Sequence, residues 1–281
     1  MTIIAGMVIV MTAVIGGYLM EHGNLALLVN PAEFFIIGGA AVGSFVVASP
    51  KKVIHLTLEK LKTMFSASAT KEAYLELLAL LFLIFSKVRK EGLISIEQDV
   101  EDPSKSAIFM KYKSVFANKG ALGFICDNLK VIITTSMPTH ELDELLSTDI
   151  EARSHEEMLP SMSIQKMADA LPGFGIVAAV MGVVLTMGKI NEPPAVLGHS
   201  IGAALVGTFL GVLLCYGFVG PIAANMELRA KEDEVYFQVI KVALVAFVGG
   251  AAPQMAVESG RRAIPSAERP GFSELEEANR K

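Results

Sequence analysis

The chain has 281 residues, of which 52% are hydrophobic and only 19% are charged, and its net charge is −5 at pH 7. This composition lies outside the ordinary range of soluble domains and toward that of membrane proteins. The acidic balance and the lack of a basic stripe argue against nucleic acid as a partner, while two cysteines and five scattered histidines offer neither a disulfide framework nor metal-ligand spacing.

Two apolar runs in residues 1–50 predict a first transmembrane hairpin. The runs cover residues 2–20 and 34–49 and contain no Asp, Glu, Lys or Arg, and a helix of about 20 apolar residues crosses the ~30 Å hydrocarbon layer. The second run is short, although Ala32 and Pro50 extend it at the two interfaces. The first is too long for a signal-peptide core and has no basic segment before it, so we expect it to remain as a span.

Residues 51–169 predict a helical cytoplasmic insertion. Thr70 has the position of an N-cap and Gly92 that of a helix stop, so a helix is expected from Lys71 to Lys90. The apolar centre of this helix is too short to span a bilayer and is expected to be buried against other helices. Further helices are predicted to start at a capping box in residues 95–98 and to cover residues 120–135 and 139–158.

Opposite charges flank the turn after the first of these helices. Basic residues, among them Lys87 and Arg89, end that helix, and the acidic residues Glu97 and Asp99 begin the next. This order suits the two helix dipoles and requires no function. A second interpretation is that Arg89 and Glu97 are displayed at the turn for a protein partner of alternating charge. The residues alone leave both interpretations open.

Residues 170–226 predict a second transmembrane hairpin. Its third span, residues 170–188, has Pro172 in what we expect to be its first turn, where the missing N–H costs little. Ala179 and Gly182 place small side chains near mid-depth in this span. The fourth span starts after Pro194 and is too long for one bilayer, so it is expected to continue as a helix into water.

The fourth span carries Gly207 and Gly211, a small-xxx-small pair that allows close helix packing. Thr208 lies about 13 Å into the membrane by helical rise. Its hydroxyl can hydrogen-bond the carbonyl four residues earlier, or it can face a wet partner group, and the antiparallel arrangement can bring it close to Ala179.

Pro221 lies at the inner end of the helix, where it frees a carbonyl and permits a kink. Pro172 and Pro221 are therefore either hinges or simple helix boundaries.

Residues 227–281 predict cytoplasmic helices and a tail. A charged helix is expected at 227–241, and the apolar run 242–257 is interrupted by glycines and Pro253, so it is expected to pack as a helix rather than to span. All but one of the 24 Lys and Arg residues lie in residues 50–169 or after residue 223. By the positive-inside rule both termini, the insertion and the tail are cytoplasmic. The predicted fold class is an all-α integral membrane protein with four transmembrane helices, a large helical insertion between spans 2 and 3 and a helical tail.

The last two spans lack the group that usually carries an ion through a membrane protein. Residues 170–188 and 193–226 are rich in Gly, Ala, Pro and Thr and contain no Asp, Glu, Lys or Arg. Proteins that move ions themselves usually keep an ionisable side chain at membrane depth. We call these two spans the ion path wall. Their composition predicts a subunit that is completed by a partner, and no arrangement typical of an enzyme is present in them.

The chain resembles the flagellar stator subunits of the MotA/TolQ/ExbB family over nearly its whole length. The string Ala204-Leu-Val-Gly-Thr-Phe-Leu-Gly-Val-Leu, followed at a distance by Pro221, fits the family signature, and Asp169-Ala-Leu-Pro-Gly-Phe-Gly-Ile-Val-Ala-Ala fits its third-span motif. The resemblance also includes residues 16–20, the Arg89/Glu97 turn and residues 268–277. It implies a bacterial inner-membrane protein.

The resemblance also implies partners and residue roles. Such subunits form a ring, thought to hold five copies, around two single-span MotB chains whose aspartate binds the ion, and they turn the rotor protein FliG. Thr208, with Ala179 opposite, would then line the ion path. Pro172 and Pro221 would couple that path to cytoplasmic movement, and Arg89 and Glu97 would contact FliG through complementary charge. No cofactor is implied beyond the coupling ion.

The coupling ion implied by the resemblance is the proton. Sodium-driven relatives have a threonine at the position of Ala179, and sodium needs several oxygen ligands to replace its hydration shell, whereas a proton needs only a titratable carboxylate. Thr186 lies further out in the same span and can supply an oxygen elsewhere, which keeps sodium as the less favoured alternative.

Three other functions are compatible with parts of the sequence. An ExbB- or TolQ-like energiser of outer-membrane processes would share the last two spans, but those relatives have three spans and lack the Arg89/Glu97 turn. A channel that acts alone is disfavoured by the missing intramembrane charge. A purely structural membrane scaffold is the remaining alternative.

Overall fold

The computed structural model describes residues 2–64, 70–135 and 137–280, and all regular elements in those ranges are helical. A 3₁₀ turn occupies Leu93–Ile96 and a π-helical turn occupies Cys215–Val219. The α-helices are α1 (Thr2–Met20), α2 (Leu25–Leu28), α3 (Pro31–Ala48), α4 (Lys51–Thr63), α5 (Lys71–Glu91), α6 (Glu97–Glu101), α7 (Ala107–Lys111), α8 (Lys113–Ala117), α9 (Lys119–Thr134), α10 (Thr139–Met187), α11 (Pro194–Leu214), α12 (Gly220–Val248), α13 (Pro253–Ala263) and α14 (Phe272–Arg280).

The contacts divide the chain into two compact units. The membrane unit comprises Met1–Ser66 and Met158–Leu228, and the insertion unit comprises Ala67–Glu157 and Arg229–Lys281. The insertion and the tail, treated as separate segments in the sequence, therefore form one unit. Helix α4 belongs to the membrane unit, where Leu61 packs against Ile164 and Met226.

The four predicted spans are confirmed. The helices long and apolar enough to cross a membrane are Thr2–Met20, Leu25–Ala48, and the apolar parts of Thr139–Met187 and Pro194–Val248. Helix α1 has no buried residue. Its apolar side chains are thus available to lipid or to other chains, as expected for a helix in hydrocarbon.

Pro172 does not lie in the first turn of a helix, and this expectation is wrong. Helix α10 is continuous from Thr139 to Met187 and contains both Pro160 and Pro172 in its interior. A proline favours a helix start because its missing N–H is then harmless. Inside a membrane helix, however, neighbouring groups and small backbone adjustments can compensate for the lost bond. The predicted helix at 139–158 and the third span are consequently one element.

The insertion unit contains the predicted helix with its predicted ends. Thr70 accepts a hydrogen bond from the Ala73 amide at 3.3 Å, and Gly92 ends α5 with a φ of 87°, a conformation that favours glycine. The capping box at residues 95–98 is wrong. Ser95 instead donates to the Gly92 carbonyl at 2.7 Å, and no side chain caps α6.

The apolar centre of α5 is the core of the insertion unit, as expected. Leu77, Leu80 and Phe85 are completely buried, and the ring of Phe85 stacks on that of Phe247 from the tail with centroids 4.3 Å apart. Helices α13 and α14 pack against α5. The centre of α5 is apolar on nearly all of its faces, and it is accordingly enclosed by other helices.

Helix α13 is held by a compact ion cluster around Glu258. Its carboxylate accepts hydrogen bonds from Arg261 at 2.7 and 2.8 Å and from Arg262 at 2.9 Å. The Glu258 and Arg261 side chains are only 12% and 14% exposed. The hydrogen bonds from Arg261, followed by those from Arg262, lower the pKa of Glu258 from 4.5 to about 2. Arg261 also donates to the Pro270 carbonyl, which ties α13 to the following segment.

We expect Glu258→Gln to destabilise the insertion unit by about 2 kcal/mol, the size of a lost charged hydrogen-bond pair. Because its pKa is lowered from 4.5 to about 2, the contribution of Glu258 is complete above pH 4.5 and is lost as the pH falls through 2. Hydrogen–deuterium exchange of α13 in the purified protein measures the effect. Glu277→Gln, at an exposed glutamate of α14, is the matched control, and equal exchange in both variants would contradict the assignment.

Candidate ion path wall and charged turn

Helices α10 and α11 touch through their backbones. A Cβ added to Gly211 would lie 2.6 Å from the Leu171 carbonyl oxygen and 2.9 Å from the Gly175 Cα. A Cβ added to Gly175 would lie 2.7 Å from the Gly207 carbonyl oxygen. Real side-chain carbons do not come so close to backbone atoms. The small-xxx-small pair of the fourth span therefore serves close helix packing, which the sequence predicted as one of its roles.

The same contact continues along the hairpin. A Cβ on Gly182 would lie 2.6 Å from the Cβ of Ala204, and one on Gly207 would lie 3.0 Å from both the Ala178 Cβ and the Ala179 amide nitrogen. Ala179 is 9% exposed. Its methyl side chain is thus part of the packed hairpin, where a larger side chain would need space that the neighbouring helix occupies.

Thr208 lies beside this contact rather than in it. The residue is partly buried, while its neighbour Gly207 is buried against α10. The buried residues of this part of the hairpin include Ala204, Gly207 and Gly211, whereas Thr208 is not among them.

Thr186 is placed differently from Thr208. It is only 3% exposed, and its hydroxyl donates to the Gly182 carbonyl at 2.8 Å within its own helix. This is the back-bonding typical of threonine in membrane helices. Among the described residues, no group of three or more His, Cys, Asp or Glu side chains is placed to hold a metal ion.

The two prolines of the wall lie in unlike surroundings. Pro172 is partly buried in the interior of α10, whereas Pro221 is exposed at the second position of α12. A π-helical turn directly precedes Pro221, and the amide of Gly220 bonds to the Cys215 carbonyl across it. Such turns are rare, arise inside α-helices and are frequent at functional sites. The π turn gives the fourth span a local irregularity that the sequence did not predict.

One buried acidic side chain beside the wall was missed in the sequence. Glu33 was assigned to the connection before the second span, yet it lies in the first turn of α3 and is only 5% exposed. A Cβ on Gly207 would lie 2.5 Å from its Oε2 atom. Asn30 and Pro31 form a helix start, and this signal would have placed Glu33 inside the helix. The charge-free run that predicts the second span starts at residue 34, directly after Glu33.

The charged turn follows α5 in the insertion unit. Lys87 forms an ion pair with Asp99 at 2.8 Å, and Asp99 also accepts from the Ser106 hydroxyl at 2.6 Å. Arg89 and Glu97 are exposed, and no ion pair joins them in the part of the chain that the structure describes. The pair that closes the turn is therefore Lys87 with Asp99, which the sequence did not single out.

Arg89 and Glu97 border different pockets. Arg89 lines a pocket of about 410 Å³ whose other walls are apolar, with Leu93, Val131 and Phe247 among them. Glu97 lines a pocket of about 650 Å³ together with acidic residues and Lys130. The turn thus presents a cationic group beside an apolar pocket and an anionic group beside an acidic one.

Two family models match the chain. The model of the motility protein A N-terminal region matches residues 4–92. The model of the MotA/TolQ/ExbB proton channel family matches residues 122–238. The matched ranges include the charged turn's Arg89 in the first model and the whole ion path wall in the second.

Known proteins resemble the chain over nearly its full length. Motility protein A of Escherichia coli (strain K12) is 45% identical over 278 residues, covering 99% of this chain and 94% of that protein. Chemotaxis protein LafT of Vibrio parahaemolyticus is 37% identical over 272 residues, covering 96% of this chain and 95% of that protein.

Solved structures share the fold. The structure of C. jejuni MotAB matches with a TM-score of 0.79 at 18% identity and covers 96% of this chain and 98% of that chain. The flagellar MotAB stator complex from Bacillus subtilis matches with a TM-score of 0.76 at 21% identity, covering 95% of this chain and 96% of that chain.

We expect Gly211→Ala to weaken the contact between α10 and α11 by about 1–3 kcal/mol, the usual cost of overpacking. The new methyl group would meet backbone atoms of Leu171 and Gly175, which cannot rotate away. The heat stability of the detergent-solubilised protein measures the effect. Gly202→Ala is the matched control on the same helix, because nothing lies within 4 Å of its added Cβ. Equal stability of the two variants would contradict the packing role.

Proposed function

Since the chain belongs to the MotA/TolQ/ExbB proton channel family, a channel-type family and not an enzyme family, we propose that it conducts protons together with MotB and exerts torque on FliG. It is a multi-pass inner-membrane protein with four apolar helices and a subunit of the flagellar stator. Both termini and the insertion unit face the cytoplasm in this proposal, because that side then holds nearly all Lys and Arg residues.

The observation that carries the proposal is the composition of the contact between α10 and α11. Glycine and alanine backbones meet there, and neither Asp, Glu, Lys nor Arg occurs in residues 170–188 or 194–226 of the wall. Such a surface can border an ion pathway but cannot bind the ion by charge. A single-span partner with a membrane carboxylate supplies that group, and MotB is the partner of the solved relatives C. jejuni MotAB and Bacillus subtilis MotAB.

A ring of copies, five by the resemblance, completes the assembly. Many apolar side chains of the membrane unit are exposed in the single chain, including Ile176, Val180 and Val184 on α10 and most of α1. In a membrane these faces contact lipid, MotB or neighbouring copies. Charged and neutral states of the MotB aspartate would then favour different ring positions, so that proton flow drives rotation.

The proton is the coupling ion in this proposal. Ala179 contributes no side-chain oxygen, and the Thr186 hydroxyl already donates to a carbonyl of its own helix. Of these three residues, Thr208 alone is partly buried rather than buried, and it lies beside the wall contact. One hydroxyl is a poor replacement for the oxygen shell of a metal cation, whereas a proton needs only a carboxylate to bind.

The exposed charges of the turn are the proposed rotor contact. The Lys87–Asp99 pair closes the turn, so Arg89 and Glu97 are not required for that purpose and remain available for charges on FliG. Pro172 and the π turn before Pro221 are the proposed points at which the wall helices bend as the ion passes.

An ExbB- or TolQ-like function is the second candidate, because the channel-family model is common to all three groups. The match of residues 4–92 to the motility protein A N-terminal model favours the flagellar function. A channel acting alone would need its own charged or polar ion site in the wall, and a purely structural scaffold would not need a partly buried threonine beside the wall contact.

We expect Arg89→Glu or Glu97→Lys to reduce swimming strongly while the protein still folds and enters the membrane. Neither side chain pairs within the described residues, so each change should alter folding stability by no more than about 0.5 kcal/mol. Swimming speed and membrane levels measure the two effects. Matching charge reversals in FliG should restore part of the speed, since complementary charge fixes partner choice.

The control for these reversals is Lys87→Glu. This change places two acids together at the turn, because Asp99 loses the pair at 2.8 Å, and it should lower stability whatever the rotor carries. FliG reversals should not rescue it. If Arg89→Glu and Glu97→Lys both gave normal torque at high load, the proposed contact of the turn with FliG would be contradicted.

We expect swimming to continue unchanged when sodium is removed at constant proton-motive force. The physical reason is that the wall lacks the cluster of oxygen ligands that sodium requires. Swimming speed in sodium-free medium, with potassium in its place, is the measurement. Cells that stop in this medium while their proton-motive force is intact would show that sodium is the coupling ion.

A further inference from the structure

We propose that Glu33 is a second proton-binding carboxyl, which takes protons from the outer side and passes them toward the level of Ala179 and Thr208. The direction of transfer rests on the function proposed above. The site itself rests on the position and surroundings of Glu33 in the membrane unit.

Glu33 occupies an apolar position of its helix. The buried residues of α3 are Glu33, Ile37 and Ala41, which lie four residues apart and hence on one face. Ile37 and Ala41 pack in a cluster with Leu171, Ala178 and Leu210 of the ion path wall. The glutamate thus extends the stripe by which α3 contacts the second hairpin.

One oxygen of the Glu33 carboxylate has no compensating partner among the described residues. Its Oε2 atom is buried and accepts or donates no hydrogen bond within the described chain. Because the residue is only 5% exposed, another subunit can reach little of it. An ionised carboxylate without a partner is costly in a low-dielectric interior, so Glu33 is held there in its neutral, protonated form until water or a cation reaches it.

The packing is shaped to admit this group. The Oε2 atom would lie 2.5 Å from a Cβ on Gly207, and the Ala179 amide nitrogen would lie 3.0 Å from the same point. Glycine at residue 207 therefore leaves room for the carboxyl as well as for α10. The Glu33 side chain therefore ends beside Gly207 of the wall, the residue that directly precedes Thr208.

The position of Glu33 brings the start of α3 to the level of the middle of α11. Glu33 lies in the first turn of α3, whereas Gly207 lies about 20 Å along α11 from Pro194, at ~1.5 Å per residue. The first hairpin therefore ends short of the second, and the start of α3 is level with the middle of α11. A carboxyl at that point can meet outer water from the side of α3 and the ion path from the side of α11.

Few other titratable groups face this carboxyl. Helix α2, which packs against α11 beside it, has the sequence Leu-Ala-Leu-Leu. Residues 170–187 of α10 have no acidic, basic or histidine side chain, and α11 has only His199, on the order of 12 Å away along the helix. The π turn adds Cys215 and Tyr216 at the far end. Among the described residues of this chain, titration beside the wall is therefore attributable to Glu33, and the partner's carboxylate is common to the wild type and the variants.

The transfer is a simple exchange of one proton. The ionised carboxylate takes a proton from hydronium in outer water and leaves a water molecule, which forms the neutral acid. The acid then gives the proton to a water molecule in the path, from which the carboxylate of the single-span partner receives it. The Glu33 carboxylate is regenerated at each cycle.

The first test is spectroscopic and uses the complex of the full chain with its single-span partner in lipid vesicles. Infrared difference spectra between acidic and alkaline outer buffer should show the carbonyl band of a protonated acid, which Glu33→Gln removes. Glu21→Gln, at an exposed glutamate of the same connection, should leave the band in place. Identical spectra for wild type and Glu33→Gln would overturn the proposal.

The second test measures proton flux in the same vesicles. Glu33→Gln should lower the flux about tenfold, which corresponds to roughly 1.4 kcal/mol of barrier, and Glu33→Asp should retain more flux because it keeps a carboxyl. Flux at the wild-type level in Glu33→Gln would overturn the transfer role even if the band is lost.

Two further outcomes are distinguishable. If Glu33→Gln does not assemble, the spectra of wild type and Glu33→Asp are compared: a shifted acid band supports the proposal and an unchanged band overturns it. If the wild-type complex passes no protons at all, the function proposed above fails, while the infrared band of the wild-type chain still reports on whether Glu33 binds a proton.

Discussion

The backbone contact between α10 and α11 is the constraint on which the membrane unit depends. At Gly175, Gly207 and Gly211 an added Cβ would lie within 3.0 Å of atoms on another helix. Lipid offers no hydrophobic driving force between helices, so packing of this closeness supplies the attraction. It also determines what surrounds the contact: Ala179 is enclosed, Thr208 is left at the side, and Glu33 reaches the space beside Gly207. The residues proposed to act in the ion path are therefore positioned by the glycine contacts rather than by contacts with one another.

Features encoded locally could be predicted from the sequence. The four spans follow from apolar length, α5 follows from Thr70, its apolar centre and Gly92, and the small-residue pair predicts a helix contact. Each of these depends on residues close together in the chain. The sequence alone left two interpretations open for Thr208, Arg89 and Glu97, and the resemblance to the stator family supplied their functional one. The structure adds that all three retain accessible surface. Their functional roles remain proposals.

Features that depend on distant residues could not be predicted. The continuity of α10 through Pro172 contradicts a sound local rule, since proline starts helices more often than it continues them. The pairing of Lys87 with Asp99 rather than Arg89 with Glu97 depends on the 3₁₀ turn and on Ser106, seven residues beyond Asp99. The burial of Glu33 depends on how far α3 extends along α11. The pattern of residues within α3 does not show where this helix starts relative to α11.

In both units, some charged or acidic groups have partners within the fold and others do not. In the insertion unit Lys87 and Asp99 form a partly buried ion pair. The exposed Arg89 and Glu97 are therefore not needed to hold the turn together. In the membrane unit the wall has no charged side chain, and a carboxyl with one buried, unpartnered oxygen lies beside it on α3. A buried acid that merely stabilised the fold would be expected to have a hydrogen-bond partner. Because the Oε2 atom of Glu33 has none among the described residues, its burial costs stability, and exchange of a proton at that point gives a physical reason for its presence.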